Sequence, residues 1–148
     1  MLTKWIVMLG VAASVMLPTV ARAGDTPATL DGAQVVTGED VVKLQAAGAV
    51  VIDARVASEY AESHIKGAVS VPYREKSAKA ADFDAKQDDF NLAKLPADKT
   101  APIVFACNGP ECWKSYKASV VALRNGYKSV HWYRGGFPDW KSRNLPVE

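Results

Sequence analysis

The chain holds two cysteines, Cys107 and Cys112, and both lie in the short stretch Cys107-Asn108-Gly109-Pro110-Glu111-Cys112-Trp113. Cys107 stands directly behind the apolar run Pro102-Ile103-Val104-Phe105-Ala106, and a helix-like pattern begins near Trp113. A buried strand aimed at a tight loop, closed by the amino end of a helix, surrounds a thiol with backbone N–H groups and the positive end of the helix dipole. Such surroundings favour the thiolate, which is the nucleophilic form of sulfur. Two cysteines so close together are also able to pair as a disulfide in an oxidising compartment. A ring that small removes little entropy from the unfolded chain, so reactivity is a better reason for the pair than stapling the fold. Metal binding is disfavoured, because two thiols without a matching Cys/His pair fall short of four tetrahedral ligands.

Strand-like and helix-like signals alternate around this loop. Thr37 ahead of Glu39 and Asp40 has the form of an N-cap with an acidic first turn, and Gly48 sits where a C-cap glycine belongs. The spacing predicts a helix over 38–47. Val50-Val51-Ile52 is a short apolar run of the buried-strand kind, followed by a polar turn and a short helix over 57–62. Ala68 to Val71 is expected as a further strand, stopped by Pro72. From Arg74 to Lys99 the chain is rich in Lys, Asp and Ala, and the expectation is surface loop with one or two short helices and solvated charges. Ile103 to Ala106 is the clearest central strand. The helix after it spans 113–125 and ends at Gly126, with Ala118, Ser119 and Ala122 against a sheet and Lys114, Lys117 and Arg124 facing water. A last strand is expected over 129–133. Strands separated by helices in this order imply an α/β fold, a parallel sheet flanked by helices on both faces.

The first residues form a separate unit. Lys4 precedes an apolar run from Trp5 to Val20, and Ala21-Arg22-Ala23 invites cleavage before Gly24, the pattern of a secretory signal peptide. Pro18 interrupts the run, which is too short for stable membrane insertion. Residues 1–23 are therefore expected to be removed on export to the periplasm, leaving 24–148 as one domain. The whole chain carries a net charge of +2, and loss of Lys4 and Arg22 leaves the remainder near neutral. Nothing in that balance argues for nucleic acid or an anionic membrane as partner.

The run VIDARVASEYAESHIKGAVSVP, Val51 to Pro72, resembles the first signature of the rhodanese domain, with its strand, Asp-x-Arg, Glu-Tyr and His-Ile-x-Gly-Ala. Gly126-Tyr127, Val130, Gly135-Gly136-Phe137 and Trp140 resemble the second, and Cys107 occupies the strand-end position of the family's cysteine. The resemblance implies a rhodanese-like fold and sulfur transfer without a cofactor. Cys107 would attack the outer sulfur of a donor such as thiosulfate, hold it as a persulfide and pass it to cyanide or a thiol. Backbone N–H groups of the loop Asn108, Gly109, Pro110, Glu111 and Trp113, proline excepted, would stabilise the anions, with Lys114 adding positive charge. Asp53 and Arg55 are read as a loop-bracing pair and His64 as a structural histidine holding the turn at Gly67, rather than as acid or base.

The loop departs from the family pattern. It is longer than in common single-domain rhodaneses, Glu111 repels a doubly anionic donor, and Cys112 supplies a thiol able to resolve a persulfide or sulfenate on Cys107 into an internal disulfide. Cys-Trp-x-Ser, with Trp132-Tyr133 downstream, is similar to exported rhodanese-like proteins with a two-cysteine-tryptophan motif that accompany quinoprotein alcohol oxidation. Phosphatases and arsenate reductases of the same fold clamp an oxyanion with an arginine. Trp113 stands six residues after Cys107 and no arginine follows until Arg124, which argues against phosphoryl chemistry. Two readings stay open: a periplasmic sulfurtransferase using Cys107, served by a small sulfur donor, a thiol or cyanide acceptor and a periplasmic redox protein, or a non-catalytic or redox module built on a Cys107–Cys112 disulfide that binds a partner.

Overall fold

A computed structural model describes residues 24–148; the signal peptide expected over 1–23 lies outside the described residues. The elements in chain order are β1 (Ala33–Val35), α1 (Gly38–Ala46), β2 (Val50–Asp53), α2 (Ala57–Glu62), β3 (Val69–Ser70), β4 (Ile103–Ala106), α3 (Trp113–Arg124), β5 (Val130–Tyr133) and α4 (Gly136–Ser142). Two single 3₁₀ turns, Ala85–Gln87 and Leu92–Lys94, interrupt the long segment between β3 and β4. The five strands form one sheet in the order β1-β5-β4-β2-β3, every pair parallel. In an open parallel sheet the loops at the carboxyl ends of the strands share one rim, where such folds place their sites. Asp53, Cys107 and Arg134 each follow or end a strand at that rim.

Alternation along the central strands sends side chains to two different cores. Val51 and Val104 face Val41, Phe137 and Trp140, the side covered by α1 and α4. Ile52 and Phe105 face Ala118 and Ala122 of α3, together with Tyr73 and Leu95 from the long segment. Val51, Ile52, Val104 and Phe105 are wholly buried, each contributing about 1.5–3 kcal/mol of transfer free energy. A third cluster packs Trp132 against Tyr116, Trp113, Val120 and Phe83. Helix α1 begins as expected, with Thr37 accepting from the Asp40 N–H while the Asp40 carboxylate accepts from the Thr37 N–H.

Several expectations shift. The strand expected over 68–71 is reduced to Val69–Ser70, and that over 129–133 begins at Val130. The three-residue β1 had no pattern of its own and is defined by pairing with β5. Helix α4 opens on two glycines and carries Pro138, loop chemistry that a helix tolerates only in its first turn. Lys117 is corrected outright, since it does not face water. It is completely buried, with Nζ 2.9 Å from Glu75 Oε2 and 2.9 Å from Ser77 Oγ. The segment 74–99 wraps over α3 and covers the face that helical periodicity alone assigns to solvent. Its charges are likewise not all solvated. Asp88 accepts from the Tyr73 hydroxyl (2.7 Å), the Ser77 hydroxyl (2.6 Å) and the N–H groups of Lys76 and Ser77.

Candidate active site

Strand β4 ends at Ala106, so Cys107 is the first residue beyond the sheet, and five residues later Cys112 is the N-cap of α3. The two are joined as a disulfide, with their Cα atoms 6.2 Å apart. The intervening turn closes through Cys112 N–H donating to Gly109 C=O (2.9 Å), and Gly109 takes a positive φ of 108°. Cys112 makes no side-chain cap of its own helix. The sulfur of Cys107 fills that place. Its Sγ receives the Ser115 N–H at 3.2 Å, an otherwise unused donor of the first helical turn, and lies 3.0 Å from Ser115 Oγ. Ser115 Oγ in turn accepts from the Trp132 indole N–H at 3.0 Å, which leaves its own proton free to point at the sulfur.

Burial separates the two cysteines. Cys107 is 1% exposed, whereas Cys112 is partly exposed. Negative charge that develops on Cys107 Sγ therefore meets two donors and the positive end of a 12-residue helix, away from water. Burial itself opposes ionisation, and the hydrogen bonds to the charged form work against it.

The Gly135-Gly136 turn fixes the loop from the other side. Phe137 N–H donates to Cys107 C=O at 2.8 Å, and a Cβ on Gly136 would collide with that carbonyl and come within 2.7 Å of Gly109 N. Gly136 also has a φ of 66°. The start of the described chain forms a strap over the same loop. Thr26, 1% exposed, donates both its N–H (2.8 Å) and its hydroxyl (2.7 Å) to Pro110 C=O. Arg134 holds Thr26 through its Oγ1 and C=O, and the Trp113 indole N–H donates to Gly24 C=O at 3.0 Å.

The other expected residues fall into three groups. Asn108 is exposed and donates to Glu59 Oε2 at 2.6 Å, beside a cleft of about 260 Å³ that Arg55, Phe137 and Lys141 also line. Glu111 and Pro110 are exposed on the outside of the loop, while Trp113 is buried and packs edge-on to Tyr116. Lys114 donates to Tyr73 C=O at 3.2 Å. Asp53 and Arg55 form a buried ion pair at 2.7 Å. Arg55 also donates to Ser63 C=O and lies 4.2 Å over the Phe137 ring, so the pair ties β2, α2 and the glycine turn together. His64 stacks on Tyr60 and exchanges backbone hydrogen bonds with Glu148, whose carboxylate accepts from Gly67 N–H. Neither Asp53, Arg55 nor His64 is hydrogen-bonded to a cysteine.

Thr26 and Arg134 are not singled out by the sequence, and Ser115 and Trp132 stand out there only within the Cys-Trp-x-Ser and Trp132-Tyr133 likeness, with no role at the sulfur. Ser115 alone carried a signal, because the third residue of a helix beginning at Trp113 owns a free N–H. Among the described residues no group of three or more His, Cys, Asp or Glu side chains is arranged to hold a metal.

The model of the rhodanese-like domain matches residues 37–143. The chain is 31% identical over 112 residues to the thiosulfate sulfurtransferase GlpE of Pseudomonas fluorescens, covering 74% of this chain and 85% of that protein. A Bacillus halodurans crystal structure superposes with a TM-score of 0.58 at 26% identity, over 78% of this chain and 77% of the other. Thiosulfate sulfurtransferase from Pseudomonas aeruginosa shares the fold at TM-score 0.58 and 24% identity, over 78% of this chain and 20% of its own length. By the span of the matching model, the pairwise identity and the shared sheet, this chain belongs to the rhodanese-like domain family.

Proposed function

We propose that this protein is a periplasmic sulfurtransferase that carries sulfane sulfur as a persulfide on Cys107 once its disulfide with Cys112 is open. The observation that carries this reading is the pair of donors from Ser115 to Cys107 Sγ at the amino end of α3. A thiolate there is a nucleophile held in place, and the same donors serve the persulfide anion that follows. Thiosulfate is one donor class, consistent with the activity named for the Pseudomonas fluorescens relative, and a thiol or cyanide is the acceptor class. Export rests on the sequence of residues 1–23.

The disulfide itself favours a second reading, a redox or partner-binding module with no sulfur transfer. Mass spectrometry separates the two. The reduced Cys112→Ser protein mixed with thiosulfate should gain one sulfur atom on the peptide that contains Cys107. A wild-type disulfide that resists mild reductant, with a Cys112→Ser protein that gains nothing, contradicts sulfur transfer and leaves the second reading.

A further inference from the structure

Resting on Cys107 as the sulfur carrier, we propose that the two cysteines form a couple that reduces sulfane sulfur to sulfide, with an external dithiol as the reductant. The bond between the sulfurs puts Cys112 within reach of the inner sulfur of a Cys107 persulfide, and the two differ in burial and in hydrogen bonding. In the first step the Cys107 thiolate attacks the outer sulfur of the donor. A new S–S bond forms, the donor's S–S bond breaks, and thiosulfate leaves sulfite with the electron pair. In the second step Cys112 gives up its thiol proton to the outer sulfur of the persulfide and, as the thiolate, attacks Cys107 Sγ. The Cys107–Cys112 bond forms, the bond from Sγ to the outer sulfur breaks, and that sulfur departs with the pair as hydrosulfide. Sulfane sulfur has then gained two electrons and the cysteine pair has lost two. The disulfide of this structure is the product of that step.

An attacking group five residues away in the same loop has an effective concentration far above that of a free acceptor, so internal displacement outruns transfer to a small thiol. Reset is directed by exposure. A thiolate of the external dithiol attacks the sulfur of Cys112, the less buried of the two residues, and Cys107 leaves as a thiolate onto the Ser115 N–H and hydroxyl. The dithiol's second sulfur then displaces Cys112 from the mixed disulfide, returning both cysteines reduced and the dithiol oxidised.

A single-turnover measurement tests this. Wild-type protein, reduced and then freed of reductant without air, is mixed with thiosulfate, and free sulfide and protein mass are followed. The expected result is about one sulfide per chain with the protein ending as the disulfide, while Cys112→Ser keeps its added sulfur and releases less than about a tenth as much. A wild-type protein that holds the added sulfur and releases no sulfide overturns the couple and leaves the carrier standing. Failure of both proteins to take up sulfur overturns the carrier, and the couple with it. The polarity is read separately, with oxidised wild type and limiting glutathione. Both cysteines fall in the tryptic peptide Thr100–Lys114, and fragment ions should place the glutathione on Cys112; glutathione on Cys107 reverses the assigned roles.

Discussion

At the scale of single residues, the site depends on what surrounds one sulfur atom. A hydrogen bond to a charged group is worth about 1.5–3 kcal/mol, so the two donors of Ser115 work directly against the cost of moving a thiolate out of water. Trp132 matters to the chemistry without touching the sulfur. By occupying one lone pair of Ser115 Oγ it turns the hydroxyl proton toward Cys107, which makes it a positioning residue. The acidic Glu111 stays on the outer surface of the loop, where its charge is screened by water rather than focused on the buried sulfur. That placement weakens the electrostatic objection to an anionic donor.

At the scale of elements, the loop is held between a helix start and a glycine turn. Gly136→Ala should cost about 2 kcal/mol or more, because the left-handed φ of 66° is strained for alanine and its Cβ has no room against the Cys107 carbonyl. Gly48→Ala is the matched comparison. Gly48 also has a positive φ, 96°, but has open space around it, so it should lose only about 1 kcal/mol. Urea unfolding midpoints measure both, and equal losses would show that the close approach to Cys107 has no energetic weight. Strands β2 and β4 were legible because runs of apolar residues buried on both faces leave few alternatives, and Cys107 was legible because it follows one of them. Ser115 was not, since a serine eight positions beyond a cysteine becomes its partner only when β4 and α3 are packed side by side. The strap through Thr26 was hidden for the same reason. Its partners, Pro110 and Arg134, are more than 80 residues away in sequence.

At the scale of the whole molecule, the segment 74–99 is a structural cover. A buried chain of contacts runs from Asp88 through Ser77 to Lys117 and Glu75, and joins this cover to the back of α3. Periodicity misassigned Lys117 because the residues that bury it have no period of their own. Burial raises the pKa of the Asp88 carboxyl, but the hydrogen bonds from Ser77, Tyr73 and Lys76 more than offset it and hold it at about 2. A carboxyl depressed in the folded state contributes stability above its unfolded value, and that contribution is lost as pH falls through about 2. Asp88→Asn should therefore be less stable than wild type by about 1–2 kcal/mol at neutral pH, after discounting for partial exposure, with the gap closing near pH 2. Unfolding by urea at the two pH values checks it, and a gap unchanged by pH would contradict the assignment.

The central claim is that the fold makes an ionised sulfur favourable at Cys107, and titration tests it most directly. In the reduced Cys112→Ser protein, which leaves one thiol, the thiolate absorbance of Cys107 should appear well below the ordinary value of about 8.5. Adding Ser115→Ala should move it back up. A Cys107 that titrates at or above the ordinary value, indifferent to Ser115, would contradict the account.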